Sequence, residues 1–362
     1  MERFQDYKEL TRRAPRVVTI GNFDGLHLGH QALISRAREH AAARQLPLWV
    51  MSFEPHPAAL FAPAAAPPRI YQAAEKAELL AAAGVDGLLA QRFDREFASL
   101  SALTFIEEVL VGALQTASLI VGYDFAFGAG RSGDRALLAQ EGERLGFEVD
   151  VLEARRWGGG AAAADGSSGT GSGSGTGSGS GTGSTVISSS RIRSTLKEGA
   201  VERAAALLSR PYHLSGISLP GHQRGRQLGF PTVNLAYGAS LCPSPGVYCG
   251  WLDWGDGPHA AVINLGENPT FREPHALAER QRWALEVHAL GAAQVPPLYH
   301  RPCRLWFTKR LRRELTFPSV EALQAQLRVD CSEAQELLSR VEAPQWPRGP
   351  LTLPPERMRA HT

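Results

Sequence analysis

VVTIGNFDGLHLGH, Val17 to His30, runs from four strand-forming residues through a glycine turn into the start of a helical pattern. It carries two histidines three positions apart, His27 and His30, on either side of Gly29. A helix that opens at the carboxyl end of a strand presents backbone N–H groups without intrahelical partners, and these attract an anion. Imidazoles beside such a turn donate hydrogen bonds to phosphoryl oxygens. The stretch therefore predicts a strand, a phosphate-binding turn and a helix, in that order.

The chain beyond it repeats the alternation. LWVMSF (48–53), DGLLAQRF (86–93), SLIVGYDF (118–125) and FEVDVLEA (147–154) read as further strands, with helical patterns over 29–44, 73–83, 103–114 and 134–146. Regular alternation predicts a mainly parallel, doubly wound sheet with helices on both faces. Ligands in such sheets sit beyond the carboxyl ends of the strands, which is where the first strand delivers the two histidines.

At 362 residues the chain is too long for one ordinary compact domain, and two or three are expected. Lysine and arginine number 38 against 36 acidic residues, so the formal charge of +2 makes no case for nucleic acid or an anionic membrane as partner. Small ligands are the expectation. Cys242, Cys249, Cys303 and Cys331 lack C-x-x-C spacing, which argues against a disulfide framework and against a zinc site. MERFQDYKEL has no apolar signal core and no 18-residue apolar run follows it, so a cytoplasmic enzyme is expected. From Gly166 to Thr185 every residue is Gly, Ser or Thr, after a Gly/Ala lead-in at 158–164. Such a stretch has nothing to bury against the entropy of ordering it, and reads as a flexible insert with an r.m.s. span of roughly 25 Å.

Beyond Tyr212 the texture changes. YHLSGISL, GVYCGWLDW, HAAVINLG, RWALEVHAL and CRLWFTKRL are short runs without interleaved helices, and predict a small antiparallel barrel; Ser319 to Glu342 adds one or two closing helices. In GHQRGRQLGFPTVNL (221–235), three glycines among arginines form a phosphate-covering loop or a plain turn. The Thr232 hydroxyl and Asn234 amide oxygen are hard ligands suited to magnesium on ATP, or else they satisfy that turn. Glu286 and His288 share one face of a strand, opposite Leu285 and Val287. On the inner face of a barrel a carboxylate must pair or work, which makes Glu286 the expected base; the alternative is an outward pair on a solvated face. Arg301, Arg304, Lys309, Arg310, Arg312 and Arg313 form a basic run expected to be solvated surface.

The pattern H-x-G-H at His27 to His30 resembles the HIGH-type motif of nucleotidyltransferases, which bind ATP and act at its α-phosphate. Together with SFEPHP (52–57), VGYDFAFGAGRSGD (121–134) and ISSSRIRSTLKEG (187–199), it resembles the adenylyltransferase half of the bacterial bifunctional riboflavin kinase/FAD synthetase family. GFPTVN (229–234), LEVH (285–288) and INLGENPTF (263–271) resemble the kinase half. The likeness covers nearly the whole chain outside the insert and the extreme ends.

The resemblance implies an N-terminal Rossmann-like nucleotidyltransferase domain over 1–210, broken at 158–185 by the insert. A C-terminal small antiparallel β-barrel riboflavin kinase domain with a closing helix follows over 211–345, and a tail over 346–362. The alternative is an insert that simply links two domains. By the same resemblance His27 and His30 are catalytic at the α-phosphate, and Gly21, Phe23, Gly29, Arg131, Ser188, Ser189 and Arg191 bind the nucleotide. Asn22, His56 and Asp124 lie by the flavin. In the kinase half Gly221, Arg224 and Gly225 cover the nucleotide, Thr232 and Asn234 hold ATP and Mg²⁺, and Glu286 takes the proton of the riboflavin hydroxyl. The implied chemistry is riboflavin to FMN and then FMN to FAD, with ATP and Mg²⁺ in both steps. A chain with one active half, or a flavin- or nucleotide-binding regulator, are the other readings. Departures from the family pattern are Ser190 for threonine, LYHR at 298–301, Gln223 in the glycine loop and the unmatched EPHALAERQ at 273–281.

Overall fold

The computed structural model describes residues 1–11, 14–157, 185–220, 225, 228–266, 283–291 and 300–345. Its first half contains β1 (Glu2–Phe4), β2 (Arg16–Ile20), α1 (Leu28–Arg44), β3 (Leu48–Glu54), α2 (Pro57–Phe61), α3 (Ala73–Ala82) and β4 (Gly87–Arg92). After α4 (Arg95–Ala98) come α5 (Ala102–Thr104), β5 (Thr116–Gly122), α6 (Arg135–Leu145) and β6 (Glu148–Leu152). The strands form one parallel sheet in the order β1-β4-β3-β2-β5-β6.

Every residue of β2 is buried, as a central parallel strand requires. Val17 packs with Ile34, Ala37 and Ala41 of α1 on one face, while Val18 and Ile20 pack with Phe105, Ile106 and Leu138 on the other. Each such side chain contributes roughly 1.5–3 kcal/mol by leaving water. The chain builds outward from β2 in one direction through β3 and β4, then restarts beside β2 with β5. That reversal opens a crevice at the carboxyl ends of β2 and β5.

Three local differences from the sequence reading have physical reasons. The edge strand β1 has only three residues, too few to show a period. The helix expected over 103–114 starts as α5 but continues in the wider π form from Phe105 to Ala113, which hydrophobic spacing does not distinguish. On either side of residues 158–184, β7 (Arg156–Trp157) pairs antiparallel with β8 (Thr185–Val186), so the chain departs and returns on neighbouring strands. The expected insert itself lies outside the described residues.

After α7 (Ser189–Lys197) and α8 (Val201–Leu208), the second half forms a closed antiparallel barrel. Its strands are β9 (Tyr212–Leu219), β10 (Val233–Ala236), β11 (Gly246–Asp253), β12 (Pro258–Gly266), β13 (Ala284–Ala289) and β14 (Pro302–Arg312). They run around the barrel in the order β10-β13-β12-β11-β14-β9. A single closing helix, α9 (Val320–Leu338), lays Ala334 and Leu338 against Val247, Cys249 and Val262 on the outside of β11 and β12. Of the basic run, Arg301, Lys309 and Arg313 are exposed as expected, but Arg304, Arg310 and Arg312 are not solvated surface. Arg304 is buried and paired with Glu78, Arg310 donates to the Pro245 carbonyl, and Arg312 is paired with Asp330 of α9. Those guanidiniums face partners from distant parts of the chain, which local composition does not reveal.

Candidate active site

The turn after β2 is left-handed at three positions, φ being 49° at Phe23, 85° at Gly25 and 43° at Leu26, a conformation glycine takes freely and the other two at a cost. It brings Asn22, His27 and His30 to a cavity of about 950 Å³ lined by the residues beyond the carboxyl ends of the parallel strands. His27 is the N-cap of α1, and its Nδ1 accepts the His30 backbone N–H at 3.3 Å. Occupying Nδ1 in this way leaves the proton of the neutral ring on Nε2. A Cβ on Gly29 would stand 3.1 Å from the His27 ring, so glycine lets that ring fold over the helix end.

The two imidazoles stack, with centroids 3.7 Å apart and planes inclined by 15°. Burial pushes the His27 imidazole down to about 4, and the charges of Arg210 and Arg193 act in the same direction. Burial likewise takes His30 well below its usual range, helped by His27, Lys76 and Arg210. Both rings are thus neutral near pH 7. The buried Asn22 Oδ1 and His30 Nδ1 have no hydrogen-bond partner among the described residues, and both residues line the cavity.

A second helix end meets the first. Ser188 caps α7, accepting the Arg191 backbone N–H, and Ser189 donates to the Asp24 carbonyl at 2.7 Å. Arg193 pairs with the Asp24 carboxylate at 2.5 Å, and that carboxylate also accepts the N–H groups of Ile70 and Tyr71. Two helix N-termini therefore face one cavity, both presenting the positive end of a helix dipole. Gly21, Gly29, His56, Asp124, Arg131, Ser188 and Ser189 all line the cavity. Asp124 and Arg131 are exposed at its rim, and His56 caps α2, its pKa lowered by burial and by Arg193.

Two residues expected in the nucleotide site are not among the lining residues. Phe23 is fully buried and supports His30 from 5.1 Å, and Arg191 is an exposed residue of α7. Arg193, two positions on, takes the inward place. Sequence reasoning also missed Lys76, whose buried ammonium contacts Glu54 (2.7 Å), Ser52 (2.9 Å) and the Asn22 carbonyl (3.4 Å). A lysine in a helical pattern gives no sign that it points inward.

Part of the cavity lining is aromatic. Phe53, Phe61, Phe93 and Phe97 make edge and tilted ring contacts at 5.5–6.1 Å, and Phe61 is 70% exposed.

In the barrel, Leu285 and Val287 fill the interior, and Glu286 and His288 are on the outer face. His288 is opposite Val262, which faces α9 outside the barrel. The inner-face placement expected for Glu286 is therefore corrected: alternation set it opposite the leucine and valine, and those claim the core. The outer position is half-buried, and Glu286 is directly opposite Asn234 on β10 and Asn264 on β12. His288 Nδ1 donates to the Pro231 carbonyl at 2.8 Å, fixing the strand entry that carries Thr232. Thr232 is half-buried, with its hydroxyl oxygen 3.2 Å from where a Cβ on Gly225 would lie. Gly221 and Arg224 lie outside the described residues.

Fold and site together define a two-part enzyme class: an α/β domain with an H-x-G-H turn at its cavity, joined to a barrel with a Thr, Asn and Glu cluster on its outer wall. A profile described as FAD synthetase matches residues 10–162, and one described as riboflavin kinase matches 208–338. The bifunctional riboflavin kinase/FMN adenylyltransferase of Escherichia coli (strain K12) is 38% identical over 88% of this chain and 92% of its own length. That of Pseudomonas fluorescens is 35% identical over 89% and 92%. The crystal structure of a macrolide-efflux protein from Streptococcus pneumoniae matches with a TM-score of 0.75 at 26% identity, covering 92% of this chain and 98% of that one. No helix among the described residues is long and apolar enough to cross a membrane. The chain belongs to the bifunctional riboflavin kinase/FMN adenylyltransferase family.

Proposed function

We propose that this chain phosphorylates riboflavin at the barrel and adenylylates the resulting FMN at the α/β cavity, yielding FAD and pyrophosphate. The observation that carries the reading is the pair of neutral, stacked imidazoles at one helix N-terminus facing a second helix N-terminus across the cavity.

For adenylyl transfer no strong base is needed, because a phosphomonoester is largely dianionic at neutral pH. An FMN phosphate oxygen attacks the α-phosphorus of ATP, and the bond to the β,γ-pyrophosphate breaks. His27 donates Nε2–H to the developing charge on the α-phosphoryl oxygens, and the α1 and α7 termini with Arg193 hold the polyphosphate. Phe53, Phe61, Phe93 and Phe97 give the flat flavin ring an apolar wall, with Asn22, His56 and Asp124 nearby.

In the kinase half, Glu286 accepts the proton of the ribityl hydroxyl as its oxygen attacks the γ-phosphorus and ADP departs. Thr232 and Asn234 supply neutral oxygen donors, the hard type that suits magnesium carried on ATP phosphates, and that ion supplies charge neutralisation when bound. We assign residues 1–210 to the first activity, with 158–185 as an insert within it, and 211–345 to the second, leaving 346–362 as a tail. Pairing of β7 with β8 supports the insert assignment. The four free thiols suit a reducing compartment, which favours the cytoplasm.

The test is to incubate the purified chain with riboflavin, ATP and magnesium and to separate the flavins by chromatography. FAD formation supports the proposal; accumulation of FMN alone leaves only the barrel active, and unchanged riboflavin overturns the reading.

A further inference from the structure

Arg210 belongs to the segment that leads into the first barrel strand, yet its guanidinium reaches back to the turn before His27. Nη2 donates to the Gly25 carbonyl at 2.6 Å, and Nη1 to those of Leu26 at 3.1 Å and Leu208 at 2.9 Å. Gln31 of α1 donates to the same Leu26 and Leu208 carbonyls, both at 2.9 Å. The guanidinium lies over the Tyr71 ring at 5.3 Å, and Tyr71 stacks on His213 of β9 at 4.5 Å. The buried Nε of Arg210 makes no hydrogen bond, and the guanidinium charge also acts on the buried Tyr71 hydroxyl.

Gly25 and Leu26 are both left-handed, and for leucine that conformation costs roughly 1–2 kcal/mol. Such a turn persists only when surrounding groups hold it, and here both carbonyls are aimed at one cation. We propose that Arg210 is a positioning residue for adenylyl transfer, holding the turn that aims His27 while its charge stands beside the imidazole pair. The inference rests on the reading of His27 and His30 as the adenylyl-transfer site.

The charge has a separable consequence. The charges bearing on the stacked pair are Arg210 and Arg193 of α7 at His27, and Arg210 and Lys76 of α3 at His30, with Asp24 of the turn paired to Arg193. Taking away the Arg210 cation lets His27 gain a proton at higher pH, and a protonated ring no longer matches the hydrogen-bond pattern with Nδ1 as acceptor.

The test uses full-length Arg210→Gln and Arg210→Lys. In Arg210→Gln, kcat for FMN to FAD is expected to fall about 10- to 100-fold with KM for ATP and FMN within about threefold, because misplacement costs alignment more than binding. Riboflavin phosphorylation stays within about twofold, an internal check on folding, and the acid limb of FAD formation moves to higher pH. Arg210→Lys keeps that limb at the wild-type pH while recovering part of kcat. Wild-type FAD formation that persists undiminished in Arg210→Gln overturns the inference alone. Equal loss of both activities with a lowered melting temperature, or an unmoved acid limb, also overturns it by making Arg210 a scaffold residue. A wild-type chain that makes no FAD overturns the underlying reading as well.

Discussion

Asp24 and Arg193 form a largely buried ion pair that joins the turn after the first central strand to the helix after residues 158–184. Neighbouring contacts share the carboxylate, which also accepts two backbone N–H groups at Ile70 and Tyr71. The two helix ends at the cavity are thus tied together by one carboxylate.

Replacing Asp24 with alanine leaves the Arg193 charge and both N–H groups without it. We expect a loss of about 3–5 kcal/mol in urea unfolding, the usual result of removing one member of a buried pair. FAD formation should fall further than riboflavin phosphorylation. A stability change under about 1 kcal/mol would mean that water replaces the carboxylate at little cost.

His30→Ala and Glu286→Gln separate the two activities. The first should lower FMN adenylylation about 100-fold and spare riboflavin phosphorylation; the second should lower phosphorylation by about 10²–10⁴ and spare adenylylation when FMN is supplied. Parallel loss of both products in either variant would contradict two separate sites.

His288→Ala removes the bond to the Pro231 carbonyl that fixes the Thr232 segment. A loss near 1 kcal/mol in stability and a fall of roughly tenfold in kcat/KM for riboflavin phosphorylation are expected. His288→Asn, which retains a donor, should recover part of it; unchanged kinetics in both variants would remove His288 from any positioning role.

The buried imidazoles set the acid stability. His27 and His213 are each pushed by burial from 6.5 down to about 4, so between those values the unfolded chain binds protons that the folded one refuses. Their contribution is intact above pH 6.5 and is lost as pH falls towards 4, with a limit of about 3 kcal/mol per imidazole. Urea midpoints at pH 7, 5.5 and 4.5 should decline in that order, and a flat series would show that neither ring is buried neutral.

Deleting residues 166–183 should leave both activities within about twofold. Trp157 and Thr185 are paired neighbours, so a shorter connection still spans them, and the shorter loop adds about 1 kcal/mol through lower closure entropy. Loss of FAD formation would give the removed residues a role in the cavity.

Much of this architecture is legible in local chemistry. Alternating strand and helix patterns from Val17 to Leu152 determine a parallel sheet with helices on both faces, because hydrophobic period and connection length depend only on neighbouring residues. Glycine at 25 and 29 and histidine at 27 and 30 mark the turn from strand to helix at the cavity for the same reason. Side-chain partners across the chain are another matter. The inward turn of Arg193 in place of Arg191, the buried Lys76, and Arg210 reaching from the start of the barrel to the Gly25 carbonyl each depend on where distant backbone comes to lie. Alternation set Glu286 apart from Leu285 and Val287, but only closure of the barrel decided which of those faces became the core. A strand has two faces of defined composition, and which one meets water is fixed by the strands it pairs with, a choice made in three dimensions.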